Sequence, residues 1–395
     1  MPHLRPRFTS KLIRKALSYS PVVGILGMRQ VGKSTLLKEH VHTYHTFDDE
    51  SFLIRFQQDG RSILDTSETI GLDEVQKYPP AFDLIKTLVD QKRKLGRFCL
   101  TGSIRFSSKR QIRESLTGRI ITFDLFPMTL SECHSQPLSK FLEILFTASQ
   151  MSQSTLDKMK SASWASEEKI SYYFQTGGLP GICCRRDSKI RHELMKAHLE
   201  TLLARDIHFI KKTTLPFNKL LNLVEEIAKR EGLPMNALEV SKIIGTSHTS
   251  IRSLLEALEG LFLIRPYGST YFIEDAGLSF YLKNTLRNDM SRMDIVKILY
   301  LEFRAQIQYG LRTEVSMAPY QTRGGIDIPF FLKHRSGKQL AICVDTTDYP
   351  TEKSIKSLIW AKKKFPQLRS VILYKNNKPM TTPSGVICLP WTYAF

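Results

Sequence analysis

Eight residues, Gly27-Met28-Arg29-Gln30-Val31-Gly32-Lys33-Ser34, constrain this chain more than any other stretch of it. They fit G-x-x-x-x-G-K-[ST] without a mismatch. The apolar run before them, Val22-Val23-Gly24-Ile25-Leu26, predicts a buried parallel strand. Thr35-Leu36-Leu37-Lys38-Glu39 after them predicts the first turns of a helix. In that context each residue type has a task. Gly27 and Gly32 let the backbone bend so that amides along residues 27–35 converge on phosphate oxygens, and the helix start adds partial positive charge. Lys33 would reach the β- and γ-phosphates, and the Ser34 hydroxyl would ligate Mg²⁺. ATP and Mg²⁺ are therefore the expected cofactors.

About forty residues later, Ile70-Gly71-Leu72-Asp73-Glu74-Val75-Gln76 places an acid pair where a strand should end. A phosphate-loop hydrolase uses such a pair to hold Mg²⁺ (Asp73) and to orient and deprotonate the attacking water (Glu74). A further short strand, Arg97 to Ser103, ends in polar residues. Ligands of parallel sheets lie at strand C-termini, which puts Thr101 and Ser103 beside the γ-phosphate. His40, His42 and His45 are close in sequence, but nothing around them supplies the geometry of a metal site, and a solvated loop is expected.

A chain of 395 residues has room for two to four domains. No apolar run approaches the ~18 residues of a membrane span, and the first six residues lack a secretory core. The six cysteines form no C-x-x-C pair, so reduced thiols in a cytoplasmic protein are expected, with no membrane partner. The net charge is +19. Residues 1–135 carry 21 basic against 14 acidic residues, residues 136–285 carry 19 against 16, and residues 286–395 carry 17 against 8. This favours DNA or RNA as a partner, through the basic C-terminal half. A well-solvated basic surface is the plain alternative.

From 141 to 169 the sequence is rich in Ser, Gln, Met and Lys and reads as a poorly packed helical insertion or loop. Helical periodicity then runs from Ile170 to Phe209, broken at Gly177-Gly178. Residues 218 to 282 read as a winged helix-turn-helix, with helices over 220–230, 237–244 and 251–258, a turn at Gly245 and a cap at Ser247. The third helix offers His248, Thr249, Ser250 and Arg252 but also Glu256 and Glu259, so DNA contact and pure packing both stay open. From about Leu286 helix and strand alternate, and the helix over 351–365 carries five lysines.

In combination, GMRQVGKSTLL, LDEVQKYP, LTGS, ESLTGRI, Pro127 and Glu132 in FPMTLSE, Gly177-Gly178-Leu179-Pro180-Gly181 and Arg205-Asp206-Ile207 resemble a group of prokaryotic AAA+-superfamily ATPases. These carry a C-terminal domain of the restriction-endonuclease, PD-(D/E)xK type, and the resemblance covers nearly the whole chain. It implies an α/β fold: a P-loop ATPase domain at 1–135, a helical connector at 136–215, a winged helix at 216–285 and a nuclease-like domain at 286–395. It also implies that Ser103 senses the γ-phosphate. Arg119 and Arg205 become candidates for a charge-stabilising arginine, in cis or from a neighbouring subunit of a homo-oligomer, with an ordinary salt bridge as the alternative for each. In the nuclease-like segment Glu302 on a helix and Asp327 on the first strand stand where the resemblance places them, but Cys343-Val344-Asp345 on the second strand replaces the acidic-x-Lys element. A thiol is a poor Mg²⁺ ligand, so this domain is expected to bind without cutting. The function expected is an ATPase coupled to a partner. A switch binding protein partners and a phosphotransferase are the alternatives, and the Asp73-Glu74 pair with Ser103 argues against the latter because it positions water.

Overall fold

The computed structural model describes residues 5–106, 116–148, 150–283 and 290–395. The Glu114-Ser115 start of the ESLTGRI motif lies outside the described residues. The chain forms two compact units, each assembled from separate stretches: residues 1–128, 178–226 and 236–265 in the first, and residues 129–177, 227–235 and 266–395 in the second.

The first unit is built on a five-stranded parallel sheet. Its strands are β1 (Val22–Leu26), β2 (Thr43–Thr46), β3 (Ile70–Asp73), β4 (Phe98–Gly102) and β5 (Ile120–Asp124), in the order β2-β3-β4-β1-β5. Every residue of β1 is buried, as a strand covered on both faces requires. Ile13 and Ala16 of helix Thr9–Leu17, and Leu36 and Leu37 of helix Lys33–Lys38, close over Val23 and Ile25. Because all five strands run the same way, Leu26, Asp73 and Gly102 end at one edge of the sheet. Ile120 pairs with Val22, so Arg119 lies at the opposite edge.

Farther along the chain, helices Phe217–Lys229, Ala237–Ile244 and His248–Gly260 precede a two-stranded pair, β6 (Ile264–Tyr267) and β7 (Thr270–Ile273). Local chemistry sets these boundaries. The Asn236 side chain accepts from the Leu238 and Glu239 amides, Ser247 caps with the Ser250 amide, and Gly245 takes a left-handed φ of 67° between the two helices.

The second unit carries a six-stranded mixed sheet of β8 (Val315–Gln321), β9 (Asp327–His334), β10 (Gln339–Val344), β11 (Leu368–Tyr374), β12 (Met380–Thr381) and β13 (Ile387–Pro390), in the order β12-β13-β11-β10-β9-β8. Leu340, Ile342 and Val344 of β10 face one core with Ile295, Leu299 and Phe303 of helix Arg292–Ala305. Ala341 and Cys343, alternating onto the other face, meet Leu358 and Ala361 of helix Glu352–Lys364. The segment 141–169 departs from expectation here. Phe141, Leu142, Leu145 and Phe146 of helix Phe141–Thr147, and Met159 of helix Gln153–Ala162, are buried in that first core. Their spacing by one, three and four residues makes one apolar helical face, which the polar run after it masked.

Candidate functional site

At the C-terminal edge of β1 the chain turns so tightly that a Cβ on Gly27 would stand 2.4 Å from the Leu125 carbonyl oxygen, and only glycine fits. The Gly27 amide donates to the Gly102 carbonyl at the end of β4. Gln30 and Gly32 both take positive φ, 61° and 100°, which bends the loop back over the helix start. The amides of Lys33 and Ser34, in the first turn of helix Lys33–Lys38, precede any intrahelical acceptor. Met28 and Val31 have fully buried side chains and can offer a ligand only backbone groups, whereas Arg29, Ser34 and Thr35 retain exposure. Arg7, which the sequence did not single out, braces the loop by donating to Val31 O (2.9 Å) and Phe126 O (2.6 Å).

The Lys33 ammonium donates to Met28 O at 3.0 Å and stands 3.7 Å from Glu74 Oε1. Burial pushes its pKa down, against the pull of Glu74 and Asp73. Burial also opposes ionisation of Glu74, but the Lys33 charge and hydrogen bonds from Gln76 and Ser103 outweigh it, and the carboxyl is held below its usual range. Ser103 Oγ donates to Glu74 Oε2 at 2.7 Å, and Gln76 Nε2 donates both to that oxygen and to Ser103 Oγ at 3.0 Å. Glu74 sits in left-handed backbone, φ 52°, a conformation concentrated at functional sites in non-glycine residues. Its amide donates to Thr101 Oγ1 at 3.0 Å, and that hydroxyl donates to Asp73. Thr101 therefore sets the Asp73-Glu74 pair rather than facing outward. Tyr44 OH donates to the other Asp73 oxygen at 2.8 Å. Asp73 and Ser34 are the hard oxygen donors that Mg²⁺ takes, and each Asp73 oxygen keeps a second lone pair.

Beyond the expected set, helix Ser188–Thr201 and the turn after it reach the loop. His198 is buried, with Nδ1 3.1 Å from Gln30 Oε1. Burial and the cations Arg29 and Lys33 push its pKa down to about 4, so the ring is neutral at pH 7. Asp206 is buried and takes Arg29 at 3.4 Å and Arg205 at 3.0 Å. Neither His198 nor Asp206 carries a signal at the level of spacing, because their loop partners are 168 and 177 residues away.

Arg119 does not reach this centre within its own chain. It sits at the far edge of the sheet, five residues of strand away at ~3.3 Å each, and forks onto Asp90 at 2.6 and 2.9 Å. Arg105, two residues past Ser103, ties the end of β4 to helix His248–Gly260. Its amide donates to Gly260 O (2.8 Å), its Nε to Glu259 O (3.2 Å), and its guanidinium meets Asp124 (3.3 Å), which Arg265 also holds (2.9 Å).

The second acid set, in the other unit, is not assembled. Asp327 pairs with Arg292 (3.2 Å), whose Nε donates to Val344 O (2.7 Å). Glu302 lies ten residues farther along the Arg292 helix, ~15 Å away. It is buried, and burial together with Glu132 pushes its pKa up to about 8. Glu302 thus stands apart, along that helix, from the Arg292 that holds Asp327. Asp345 is buried and accepts from Thr351 N (2.8 Å), Thr351 Oγ1 (3.0 Å) and Ser354 Oγ (2.8 Å), at the start of helix Glu352–Lys364. Burial raises the Cys343 thiol to about 12.

A parallel sheet with this loop and this acid pair defines an AAA-type P-loop ATPase domain. In agreement, residues 19–134 match the family model of an AAA domain, and residues 167–271 match that of a domain of unknown function (DUF8612). Two uncharacterized proteins, from Mycobacterium bovis and Mycobacterium tuberculosis, are each 24% identical to this chain over 257 residues, 64% of this chain and 51% of theirs. The chain thus spans about half the length of these curated relatives. Among solved structures, a Walker-type ATPase of Pyrococcus abyssi covers 71% of this chain and 99% of its own, at 17% identity and a TM-score of 0.43. The replication initiator DnaA bound to AMPPCP and single-stranded DNA covers 65% of this chain and 88% of its own, at 14% identity and a TM-score of 0.29. Among the described residues, no helix is long and apolar enough to cross a membrane.

Proposed function

We propose that this protein binds ATP with Mg²⁺ and hydrolyses it, and that the cycle governs its grip on a nucleic acid. The observation that carries the reading is the Glu74 carboxylate, kept ionised beside Lys33 and steadied by Ser103 and Gln76 at the sheet edge that also bears the loop. In this reading Lys33 holds the β- and γ-phosphates, Ser34 and Asp73 hold Mg²⁺, residues 27–35 cradle the nucleotide, Ser103 senses the γ-phosphate and Glu74 activates water. Glu74 must first exchange its present partners for that water. Arg205 is the cis candidate for charge stabilisation. Arg119, at the far edge, suits only the trans role, which requires a homo-oligomer.

Support for nucleic acid comes from the net charge of +19 and from helix Glu352–Lys364. That helix exposes Lys353, Lys356, Lys362, Lys363 and Lys364 against a single acid, Glu352. The Arg105 bridge gives the sensor strand a mechanical link to helix His248–Gly260, the third helix of the proposed winged helix at 216–285. The reading keeps the ATPase segment at 1–135, the connector at 136–215 and a degenerate nuclease-like segment at 286–395, in a reducing cytoplasm. A second reading, a switch that binds a protein, is favoured by Leu238 and Ile243, which stand more than half exposed on helix Ala237–Ile244. Turnover measured with DNA, RNA and neither, alongside binding at several salt concentrations, separates the two. Stimulation by nucleic acid with a steep salt slope supports the first, and indifference to both nucleic acids rejects it.

A further inference from the structure

The phosphate loop is gripped from one side by residues outside both nucleotide-binding motifs. Helix Ser188–Thr201 passes into a single π-type turn, Leu202–Asp206, before continuing as Ile207–Ile210. Such wide turns are rare, and they recur where a helix must aim a side chain at a site. This one ends on Asp206, whose side chain is 3% exposed. One of its oxygens faces Arg29 Nη1 at 3.4 Å and the other faces Arg205 Nε at 3.0 Å. Arg29 is a loop residue, and its charge is felt by Lys33, Glu74 and His198 alike, so its guanidinium belongs to the same electrostatic centre. Arg205 is different. Its side chain is 54% exposed, and the Asp206 carboxylate is what holds it.

Two guanidiniums on one buried carboxylate leave a surplus positive charge next to Lys33. A γ-phosphate is a stronger anion than a carboxylate and accepts forked hydrogen bonds from arginine. A diphosphate brings no such competitor to this place. We propose that Asp206 sets the discrimination between nucleoside triphosphate and diphosphate, by retaining Arg29 and Arg205 until a γ-phosphate takes them. His198 completes the device by holding the side chain of Gln30, the next loop residue, through the 3.1 Å contact. The proposal rests on the ATP reading above and adds to it a residue that neither motif contains.

The alternative is that Asp206 merely pins a helix to a loop. Its removal would then weaken both nucleotides together. The test uses the full chain and titrates ADP and a non-hydrolysable ATP analogue by calorimetry. Asp206→Asn keeps the shape and removes the charge that retains the arginines. Affinity for the analogue should rise roughly tenfold relative to ADP, the size of one charge-assisted hydrogen bond released to the ligand. Adding Arg205→Ala to Asp206→Asn should remove most of that gain. Arg205→Ala alone should weaken the analogue, spare ADP and leave the melting temperature in place, and it keeps the proposal testable if Asp206→Asn fails to fold. Equal shifts for both nucleotides in Asp206→Asn, or an unchanged analogue-to-ADP ratio in Arg205→Ala, would overturn the proposal while leaving the ATP reading intact. A parent protein that binds neither nucleotide, as Lys33→Ala should not, refutes the ATP reading and this proposal with it.

Discussion

Two sets of acids in this chain, one at the end of β3 and one in the C-terminal segment, differ in what each carboxylate is occupied with. At the end of β3, Asp73 and Glu74 are adjacent, set by Thr101 and Tyr44, and paired with a lysine that the phosphate loop delivers. In the C-terminal segment, Asp327 is neutralised by Arg292, Asp345 is saturated by three donors at a helix start, and Glu302 is buried beside Glu132. The first arrangement holds an ionised Glu74 beside one cation, with Asp73 next to it at the same loop. The second gives every acid a structural occupation and brings no two of them together around a cation. What separates the two sets is the partners of the acids.

That contrast disappears if the purified protein cuts DNA or RNA in Mg²⁺ or Mn²⁺ and Asp327→Ala abolishes the cutting. No cleavage is expected, measured on plasmid, linear and single-stranded substrates.

On the ATPase side the largest graded effect belongs to the trans arginine. If Arg119 completes a neighbour's site, Arg119→Ala should lower turnover by ~10³–10⁵. Mixing it with Lys33→Ala should restore part of the activity, and turnover per chain should climb with concentration. No recovery on mixing removes Arg119 from the chemistry. Glu74→Gln should reduce turnover by ~10²–10⁴, the usual size of a lost general base, while ATP stays bound. Calorimetry and phosphate release on the same sample check both halves, and unchanged turnover would show that Glu74 is not the base.

The loop and the acid pair were legible because each is contiguous and each sits at a strand end that a short apolar run announces. Gln76 lay in plain view within the same motif, but its bridging of Glu74 and Ser103 depends on a bend at Glu74 that no pattern encodes. His198 and Asp206 were invisible as loop partners because their contacts close over roughly 170 residues of chain. Helix Phe141–Thr147 was misjudged for another reason. Its apolar face is short, and the polar composition of the next twenty residues dominated the reading, whereas burial is decided by the face alone.

Glu302 offers a sharper division between the two acid sets. Its folded pKa is raised to about 8, first by burial and then by Glu132. The folded state therefore holds a proton that the unfolded chain releases near the ordinary value of 4.5. Stability is fullest below that value, falls as pH rises, and levels off above about 8, by up to ~1.4 kcal/mol per pH unit in between. Thermal melts at pH 5, 6.5 and 8 should show the decline, and Glu302→Gln should flatten it. A parent whose melts show no decline over that range, and which Glu302→Gln leaves unchanged, would mean that Glu302 is already ionised in the folded state, as a metal ligand would be.

The smallest expected effect concerns Asp345, and it discriminates cap from ligand most directly. Its two oxygens satisfy the Thr351 amide and the hydroxyls of Thr351 and Ser354, at a helix start whose partial positive charge suits a carboxylate. Asp345→Asn keeps one accepting oxygen and turns an amide NH₂ toward hydroxyls that had been donating. The loss should be ~1–2 kcal/mol, typical of a weakened cap and a buried hydrogen bond, or several degrees in melting temperature. Because the role is structural, the loss should be the same with and without Mn²⁺, and ATP turnover at a temperature well below the melt should not change. Suppose instead that Mn²⁺ stabilises the parent and Asp345→Asn erases that gain without altering the metal-free melt. Asp345 would then be a ligand, and the second acid set would have to be counted as a metal centre after all.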